Sequence, residues 1–394
     1  MRGRPRTHDE INWEFVTTMR KKRLNWVKIA RLLKISTSTL RRRIKSDHYI
    51  DPLDKAVDAQ VSALYSDFLA RTDFRWVGIM QTSAFLKYEN PHLYITRAQV
   101  IRAMKRVDPE AYDIRTRTRR IIARGPYIGN KGPHHWWHID SWHKMIRWKF
   151  IVFGGVDGFT KKVMFLRCSN NNKAATHLRI FKRAVQGSMI PSRVRADRGK
   201  ENVLVAQFMY QWRGLGRGSF VAGRSVHNTR IERFWGIMRM GCMEFYIQLF
   251  RYFERQRILN VDNPLEMFCL HYLFMNRINE ELERFVMVRN HSKIRTSRNQ
   301  SPYQMELLNM HLFPDPVEED IDEEVDSDDE IDVDPEQNMT GVTLDPIHCP
   351  LTEEQFNLFQ HHVIPITLED PARELVQIVE NAMEWVHQVS VMEL

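Results

Sequence analysis

Three acidic residues carry side chains of the kind that metal-dependent chemistry on phosphodiesters requires. They are Asp140, Asp197 and Glu232, separated by 57 and then by 35 positions. Cleaving and rejoining a phosphodiester needs an activated oxygen nucleophile and a stabilised leaving oxygen, and two divalent cations about 3.5–4 Å apart can supply both. Carboxylate oxygens suit Mg²⁺, which keeps several waters and takes few carboxylate ligands. A single acidic residue says nothing in a chain with 49 of them, so the inference depends on all three.

The triad has expected positions and expected helpers. We predict that Asp140 lies on a first strand and bridges both ions, that Asp197 ends a fourth strand and holds one ion, and that Glu232 faces the sheet from a helix and holds the other. Glu201 is close enough in sequence to support Asp197. Asn228 precedes Glu232 by one helical turn and is predicted either to contact DNA or to orient Glu232.

Other polar residues near the triad have simpler interpretations. Asp157 is expected to cap a turn rather than to bind metal. Four histidines crowd Asp140, and packing on a strand face is favoured over metal ligation for them: His134, His135, His138 and His143. Lys144, Lys161 and Lys162 either contact target phosphates or line a solvated strand edge.

From residue 134 onward, apolar and polar residues alternate in short runs that predict strands, followed by longer helical patterns. The expected order is three antiparallel strands, a helix, a strand and two helices, at 136–140, 150–157, 162–166, 173–186, 192–196, about 201–212 and from about 228. A Gly-rich loop is expected between the last two helices. This order is the opening of a ribonuclease H-like fold, an α/β class with a mixed sheet and flanking helices.

The first 48 residues predict an all-α DNA-binding region. Helices are expected at 11–22 and 25–34, then a short break and a basic helix capped by residues 37–39, which is the order of a helix-turn-helix. Its last helix would carry Arg41, Arg42, Arg43 and Lys45 to phosphates or base edges. A solvated basic helix is the alternative. Ahead of it, Arg2 and Arg4 stand in a short basic arm that either enters an A·T minor groove or is a disordered tail.

Charge is distributed unevenly along the chain. Residues 1–48 contain 14 Lys or Arg and 4 Asp or Glu, whereas residues 315–334 contain 13 acidic residues and no basic one. The first segment predicts a polyanion partner, and the second a disordered tract suited to recruiting protein partners.

No apolar stretch approaches the length of a membrane span, and the basic N-terminus is not that of a secretory signal. Four scattered cysteines indicate free thiols in a reducing compartment, and the basic runs suggest a nuclear location.

These patterns divide the chain into seven segments. Between the basic arm and the catalytic region, helices are expected at 54–70, 75–87 and 96–106, as a second helix-turn-helix or a plain helical linker. The expected segments are 1–48 (basic arm and helix-turn-helix), 49–112 (second helical domain), 113–133 (basic linker), 134–242 (catalytic core), 243–312 (helical extension), 313–338 (acidic disordered tract) and 339–394 (C-terminal helices of unknown role).

Residues 134–240 resemble the integrase catalytic core that retroviral integrases share with many transposases. More specifically, four stretches resemble a transposon-derived family of integrase-core proteins in animal genomes, with similarity from about residue 90 to about 305. They are Trp-His-Ile-Asp at 137–140, Arg-Cys-Ser-Asn-Asn-Asn at 167–172, Glu-Asn-Val-Leu-Val-Ala-Gln at 201–207 and Gly-Arg-Ser-Val-His-Asn-Thr-Arg-Ile-Glu-Arg at 223–233. The resemblance implies Mg²⁺ or Mn²⁺ at the triad and polynucleotidyl transfer. The zinc module of retroviral integrases has no counterpart here, and Arg198 stands where a small or amide residue is usual.

The leading hypothesis is a DNA-cutting and strand-transferring enzyme, acting on double-stranded DNA as a homo-oligomer because two DNA ends must be brought together. The alternative is a domesticated, inactive DNA-binding protein derived from a transposon. A nuclease for RNA–DNA hybrids is disfavoured by the basic helix-turn-helix, whose mode of reading suits B-form duplex.

Overall fold

The computed structural model of the protein describes residues 11–71, 79–117, 130–223, 228–312, 330–331, 344, 346–371 and 374–392. Arg2, Arg4 and most of the predicted acidic tract lie outside the described residues. Within the described part of the chain, no helix is both long enough and apolar enough to cross a membrane.

Three short helices form the N-terminal part, in the predicted order of helix, tight turn and basic helix. They are α1 (Trp13–Lys21), α2 (Trp26–Leu32) and α3 (Thr37–Ser46). The side chain of Ser36 caps α3 by accepting from the backbone N–H of Thr39 at 3.0 Å, one residue ahead of the predicted cap. Val16, Ile29 and Leu40 meet in one small core, which fixes the basic helix against the other two.

The second helical block contains a small element that the sequence analysis missed. Its elements are β1 (Asp54–Lys55), α4 (Asp58–Arg71), α5 (Ile79–Glu89), β2 (Leu93–Tyr94), α6 (Arg97–Val107) and α7 (Pro109–Arg117). The prediction of a helix from residue 54 is wrong at its start, because residues 54–55 pair with β2 in parallel. Residues 113–117, predicted as linker, are the end of α7.

A mixed sheet forms the catalytic region. Its strands are β3 (Trp136–Met145), β4 (Phe150–Asp157), β5 (Val163–Ser169), β6 (Arg193–Asp197), β7 (Phe220–Gly223) and β8 (Glu330–Ile331). The order is β5-β4-β3-β6-β7-β8, with β4 antiparallel to β3 and β5, and with β6 parallel to β3 and β7. This confirms the predicted ribonuclease H-like α/β class. β7 lies where only a Gly-rich loop was predicted, and β8 pairs two residues of the acidic segment with it.

Helices cover both faces of this sheet. The elements after β5 are α8 (Ala174–Gln186), α9 (Val203–Arg213), α10 (Thr229–Met238), α11 (Glu244–Arg255), α12 (Pro264–His291) and α13 (Pro302–Asn309). α8 and α9 share one apolar core with the strands. α10, α11 and α12 belong to a larger core that includes inward-facing residues of β3, β4 and β5. A single π-helical turn at Arg239–Met243 joins α10 to α11.

Two asparagines of α12 close the edge of β5. Asn279 accepts from the Cys168 N–H at 2.8 Å and donates to the Cys168 carbonyl at 3.2 Å. Asn290 repeats this arrangement at Val163, accepting at 2.8 Å and donating at 3.0 Å. Each carboxamide therefore takes the place of a residue on a neighbouring strand.

Replacing Asn279 by Leu is expected to lower the free energy of unfolding by about 1–3 kcal/mol, because it leaves a buried backbone N–H and C=O unsatisfied. Urea denaturation would measure the change. Asn276→Leu alters an exposed residue three positions earlier on the same helix and should change the free energy of unfolding much less. Equal effects of the two substitutions would contradict the role given to Asn279.

The C-terminal residues fold back onto α12. The C-terminal helices predicted there are present as α14 (Glu353–His362) and α15 (Leu375–Met392), and Phe359, Val363 and Val379 join the larger core. The prediction of free thiols is confirmed: Cys168, Cys242 and Cys269 are buried and Cys349 is exposed.

Candidate active site

Asp140 and Asp197 lie side by side on two adjacent parallel strands. β3 and β6 are in register from Trp136 opposite Arg193 to His138 opposite Arg195, and two more residues along each strand bring Asp140 level with Asp197. Neighbouring strands are about 4.8 Å apart, so the two carboxyl groups lie close together at the end of β6.

The electrostatic state of this pair reflects its burial. Asp140 is 8% exposed, and its pKa is raised well above the usual value, by burial first and then by the charges of Asp197 and Glu232. The pKa of Asp197 is also raised, by burial first and then by the charge of Glu201. Carboxylates that raise one another's pKa repel each other when both are charged, and a divalent cation would offset that repulsion.

Glu232 lies on a helix packed against the sheet and not on a strand. It lies in the first turn of α10, is exposed, and is close enough for its charge to raise the pKa of Asp140. In the described part of the chain, no three His, Cys, Asp or Glu side chains are grouped tightly enough to hold one metal ion. The predicted arrangement does not require all three side chains around one ion. Each of the two ions would take only two of these carboxylates, and water would complete the coordination shell of Mg²⁺.

Trp235 is a site residue that the sequence analysis missed. Its indole N–H donates to Oδ2 of Asp140 at 2.7 Å, and this hydrogen bond lowers the pKa of that carboxyl against the larger effect of burial. The sequence contained a signal for this role, because Trp235 follows Glu232 by three positions and therefore lies beside it on the helix. A buried indole N–H also generally finds an acceptor.

Gly154 leaves the space that the indole of Trp235 occupies. It pairs with Asp140 across β3 and β4, and a Cβ at this position would lie 2.5 Å from Cη2 of Trp235. The close approach of α10 to the sheet therefore requires glycine here, and Trp235 spans the space between β4 and Asp140.

Asn228 connects the helix to the strand. Its carboxamide N–H donates to the carbonyl of Ile139 at 2.9 Å, and its Oδ1 lies 2.9 Å from Nδ1 of His138. Burial lowers the pKa of His138 to about 3, so the ring is neutral and its Nδ1 carries the proton donated to Asn228. At 2% exposure, Asn228 is placed to orient the start of α10 and not to contact DNA.

Glu201 lies close to Asp197, in the turn that follows β6. It accepts from the hydroxyl of Ser141 at 2.5 Å and is buried. Oδ1 of Asp197 accepts from the side chain of Asn202 at 3.0 Å and from the N–H of Gly199 at 3.2 Å. These contacts fix the turn after β6 and hold one oxygen of Asp197, while Arg198 is half-buried beside it.

The remaining predicted polar residues have structural partners. Asp157 accepts from the N–H groups of His134 and Thr160 at 2.7 and 2.6 Å, which confirms its role in the turn. Lys162 donates to Glu306 at 2.8 Å, so the expectation that it contacts target phosphates is not supported. Lys144 is exposed.

The predicted packing on a strand face holds for His138, which lies in β3, whereas His134 and His135 precede that strand. All three are buried. His134 lies 3.1 Å from Oε1 of Glu306, and Nδ1 of His135 accepts from the Lys131 N–H, while His138 contacts Asn228. His143 differs, because its charge acts on Asp197 and lowers the pKa of that carboxyl against the effect of burial.

The strand order and the carboxylate pair on its inner strands define a ribonuclease H-like domain. Residues 129–312 match the family model of the integrase core domain. The match begins later than the predicted resemblance, which was placed from about residue 90.

Solved structures of retroviral integrases are similar to this chain. The HTLV-2 integrase catalytic core domain in complex with magnesium, in its trimeric form, is 16% identical, covering 44% of this chain and 97% of that one, with a TM-score of 0.28. The simian T-cell lymphotropic virus intasome in complex with PP2A regulatory subunit B56 gamma is 16% identical, covering 57% and 69%, with a TM-score of 0.33. A comparison with curated proteins gives no match.

Proposed function

We propose that the protein is an integrase- or transposase-like polynucleotidyl transferase that cleaves double-stranded DNA and joins the cut strand to a second DNA. The observation that carries the proposal is the juxtaposition of Asp140 and Asp197 on adjacent strands, with Glu232 acting on the same carboxyl from α10. The integrase core domain at residues 129–312 supports the same chemistry.

The donor set fits two Mg²⁺ or Mn²⁺ ions. Asp140 would bridge them, Asp197 would hold one and Glu232 the other, and the ions would activate the attacking oxygen and stabilise the leaving oxygen. Trp235 and Asn202 each hold one carboxylate oxygen and so restrict the orientations in which Asp140 and Asp197 present the other oxygen. Asn228 keeps the helix of Glu232 in register with β3.

The basic helix α3 is proposed to hold the DNA. Arg41, Arg42 and Lys45 are exposed on it, whereas Arg43 is partly engaged with Asp47 at 3.5 Å. The N-terminal helices contact the rest of the chain directly: Lys28 donates to Gln304 at 3.2 Å, and the guanidinium of Arg23 donates to three backbone carbonyls between residues 87 and 93. These contacts hold the N-terminal helices against the rest of the chain. DNA bound on α3 would therefore have a defined position relative to the core.

Joining two DNA ends requires more than one active site near the ends, and we propose that the protein acts as a homo-oligomer on DNA. Nuclear location, and recruitment of partner proteins through the acidic segment, remain predictions from sequence.

The test is cleavage and joining of supercoiled DNA with Mg²⁺ or Mn²⁺, comparing the wild-type protein with Asp197→Asn. Loss of products in the variant, with DNA binding unchanged, is the expected result. If both proteins are inert and both bind duplex DNA in a salt-dependent way, the proposal fails, and the inactive, domesticated DNA-binding protein replaces it.

A further inference from the structure

A second charged feature lies on the outer side of α10. It is a cleft of about 280 Å³ between the β4–β5 turn, α10, the end of α12 and the segment 294–296. Five cationic side chains line it, one or more from each of these elements: Lys161, Arg230, Arg233, Arg289 and Arg295. No Asp or Glu is among the described residues of its lining, and Val156, Phe234 and Ile237 contribute apolar surface. We refer to it as the basic cleft.

The cations of the basic cleft lie close enough to repel one another. Burial lowers the pKa of Lys161 to about 8, with further lowering by the charges of Arg230, Arg233 and Arg289. Burial lowers the pKa of Arg289 to about 10. The Nε of Arg289 is buried and has no hydrogen-bond partner among the described residues. A buried donor without an acceptor costs about 1–3 kcal/mol, and the residue that carries this cost lines the cleft.

The position of the basic cleft relates it to the carboxylates. Arg233 directly follows Glu232 on α10, and Val156 lies two residues beyond Gly154, the residue that faces Asp140. Two residues of strand span about 7 Å. The cleft therefore shares β4 and α10 with the residues around the triad.

We infer that the basic cleft binds a backbone phosphate of the DNA that the triad cleaves or joins. The inference rests on the proposed function for the identity of the DNA, but the cleft itself needs no metal. A phosphodiester suits it because arginine forks bind phosphate oxygens in pairs and because the cations come from several elements around one space. Lys161 contributes from the turn, where its Nζ donates to Ser297 at 2.7 Å.

The experiment measures duplex DNA binding by the full chain in EDTA, as a function of salt concentration. Each phosphate contact that is lost should reduce the slope of log K against log salt by about 0.9. Arg233→Ala and Arg289→Gln are each expected to show this reduction, and Arg233 is exposed, so its replacement should not disturb folding. Arg255→Ala, which removes an exposed arginine from the last turn of α11, is the matched control. Slopes for the cleft variants equal to that of Arg255→Ala would overturn the inference.

A footprint separates DNA from free phosphate. Acylation of lysines, followed by mass spectrometry, should show that duplex DNA protects Lys161 while Lys182, an exposed residue of α8, stays reactive. If inorganic phosphate protects Lys161 and DNA does not, the cleft is a site for a free anion and the inference fails. Because both measurements exclude metal, they can succeed in a protein that neither cleaves nor joins DNA, which distinguishes failure of this inference from failure of the proposed function.

Discussion

Replacing Asp140 by Asn is expected to abolish metal-dependent cleavage and at the same time to stabilise the metal-free protein. If Asp140 holds the metal ions as proposed and contributes about 4 kcal/mol to stabilising the transition state, its removal lowers the rate on the order of 10³-fold. Asn keeps an oxygen that can accept from the indole N–H of Trp235, so the hydrogen bond at 2.7 Å is retained. What the substitution removes is a buried charge.

The sign of the stability change follows from the direction in which the pKa moves on folding. The pKa of Asp140 is higher in the folded protein than in the unfolded chain, so the folded state binds the proton more tightly. This contribution to stability is fully present below the unfolded pKa of about 3.9 and is lost as the pH rises through the folded value. A pKa that is higher by one in the folded protein corresponds to about 1.4 kcal/mol, or roughly 2 °C in Tm for a chain of this length.

Thermal unfolding in EDTA at pH 8 should therefore give a higher Tm for Asp140→Asn than for the wild type. At pH 4 the difference should be much smaller, because the wild-type carboxyl is then protonated. Addition of Mg²⁺ should raise the Tm of the wild type and leave that of the variant nearly unchanged. A variant that is less stable than the wild type in EDTA at pH 8 would contradict the assignment of a raised pKa to Asp140.

Replacing Trp235 by Phe is expected to weaken metal binding and activity by about 10–100-fold, the usual effect of removing a group that orients a metal ligand. The indole hydrogen bond lowers the pKa of Asp140, so its loss should also move the rise of activity to higher pH. Gly154→Ala should give the same pair of changes by a different route, since the new Cβ would displace the indole.

Trp148→Phe provides the matched control. Trp148 is also a buried indole that donates to a carboxylate, Glu254, at 2.7 Å, but the contact lies away from the triad. Its replacement should lower stability without moving the pH profile of activity. If Trp235→Phe and Trp148→Phe change the pH profile equally, Trp235 has no specific role in positioning Asp140.

The sequence predicted the triad and most of its sheet because these depend on local patterns. The short runs of apolar residues at 136–140 and 150–157 mark strands, and Asp197 ends a short run in which polar and apolar residues alternate. β7 was missed because four residues beside a run of glycines give too weak a periodicity. The contacts of Trp235 with Asp140 and of Lys162 with Glu306 join positions 95 and 144 residues apart, and tertiary packing, not sequence pattern, decides such pairs.

The two asparagines of α12 limit how copies of the protein can associate. Positions 279 and 290 are eleven residues apart, about 16.5 Å along a helix, and positions 163 and 168 are about 16.5 Å apart along a strand, so helix and strand match in length. The edge of β5 is thereby closed to strand addition, the usual route by which exposed sheet edges associate. Residues 330–331 occupy the opposite edge at β7. In the proposed homo-oligomer, contacts between protomers would therefore not use strand addition at β5.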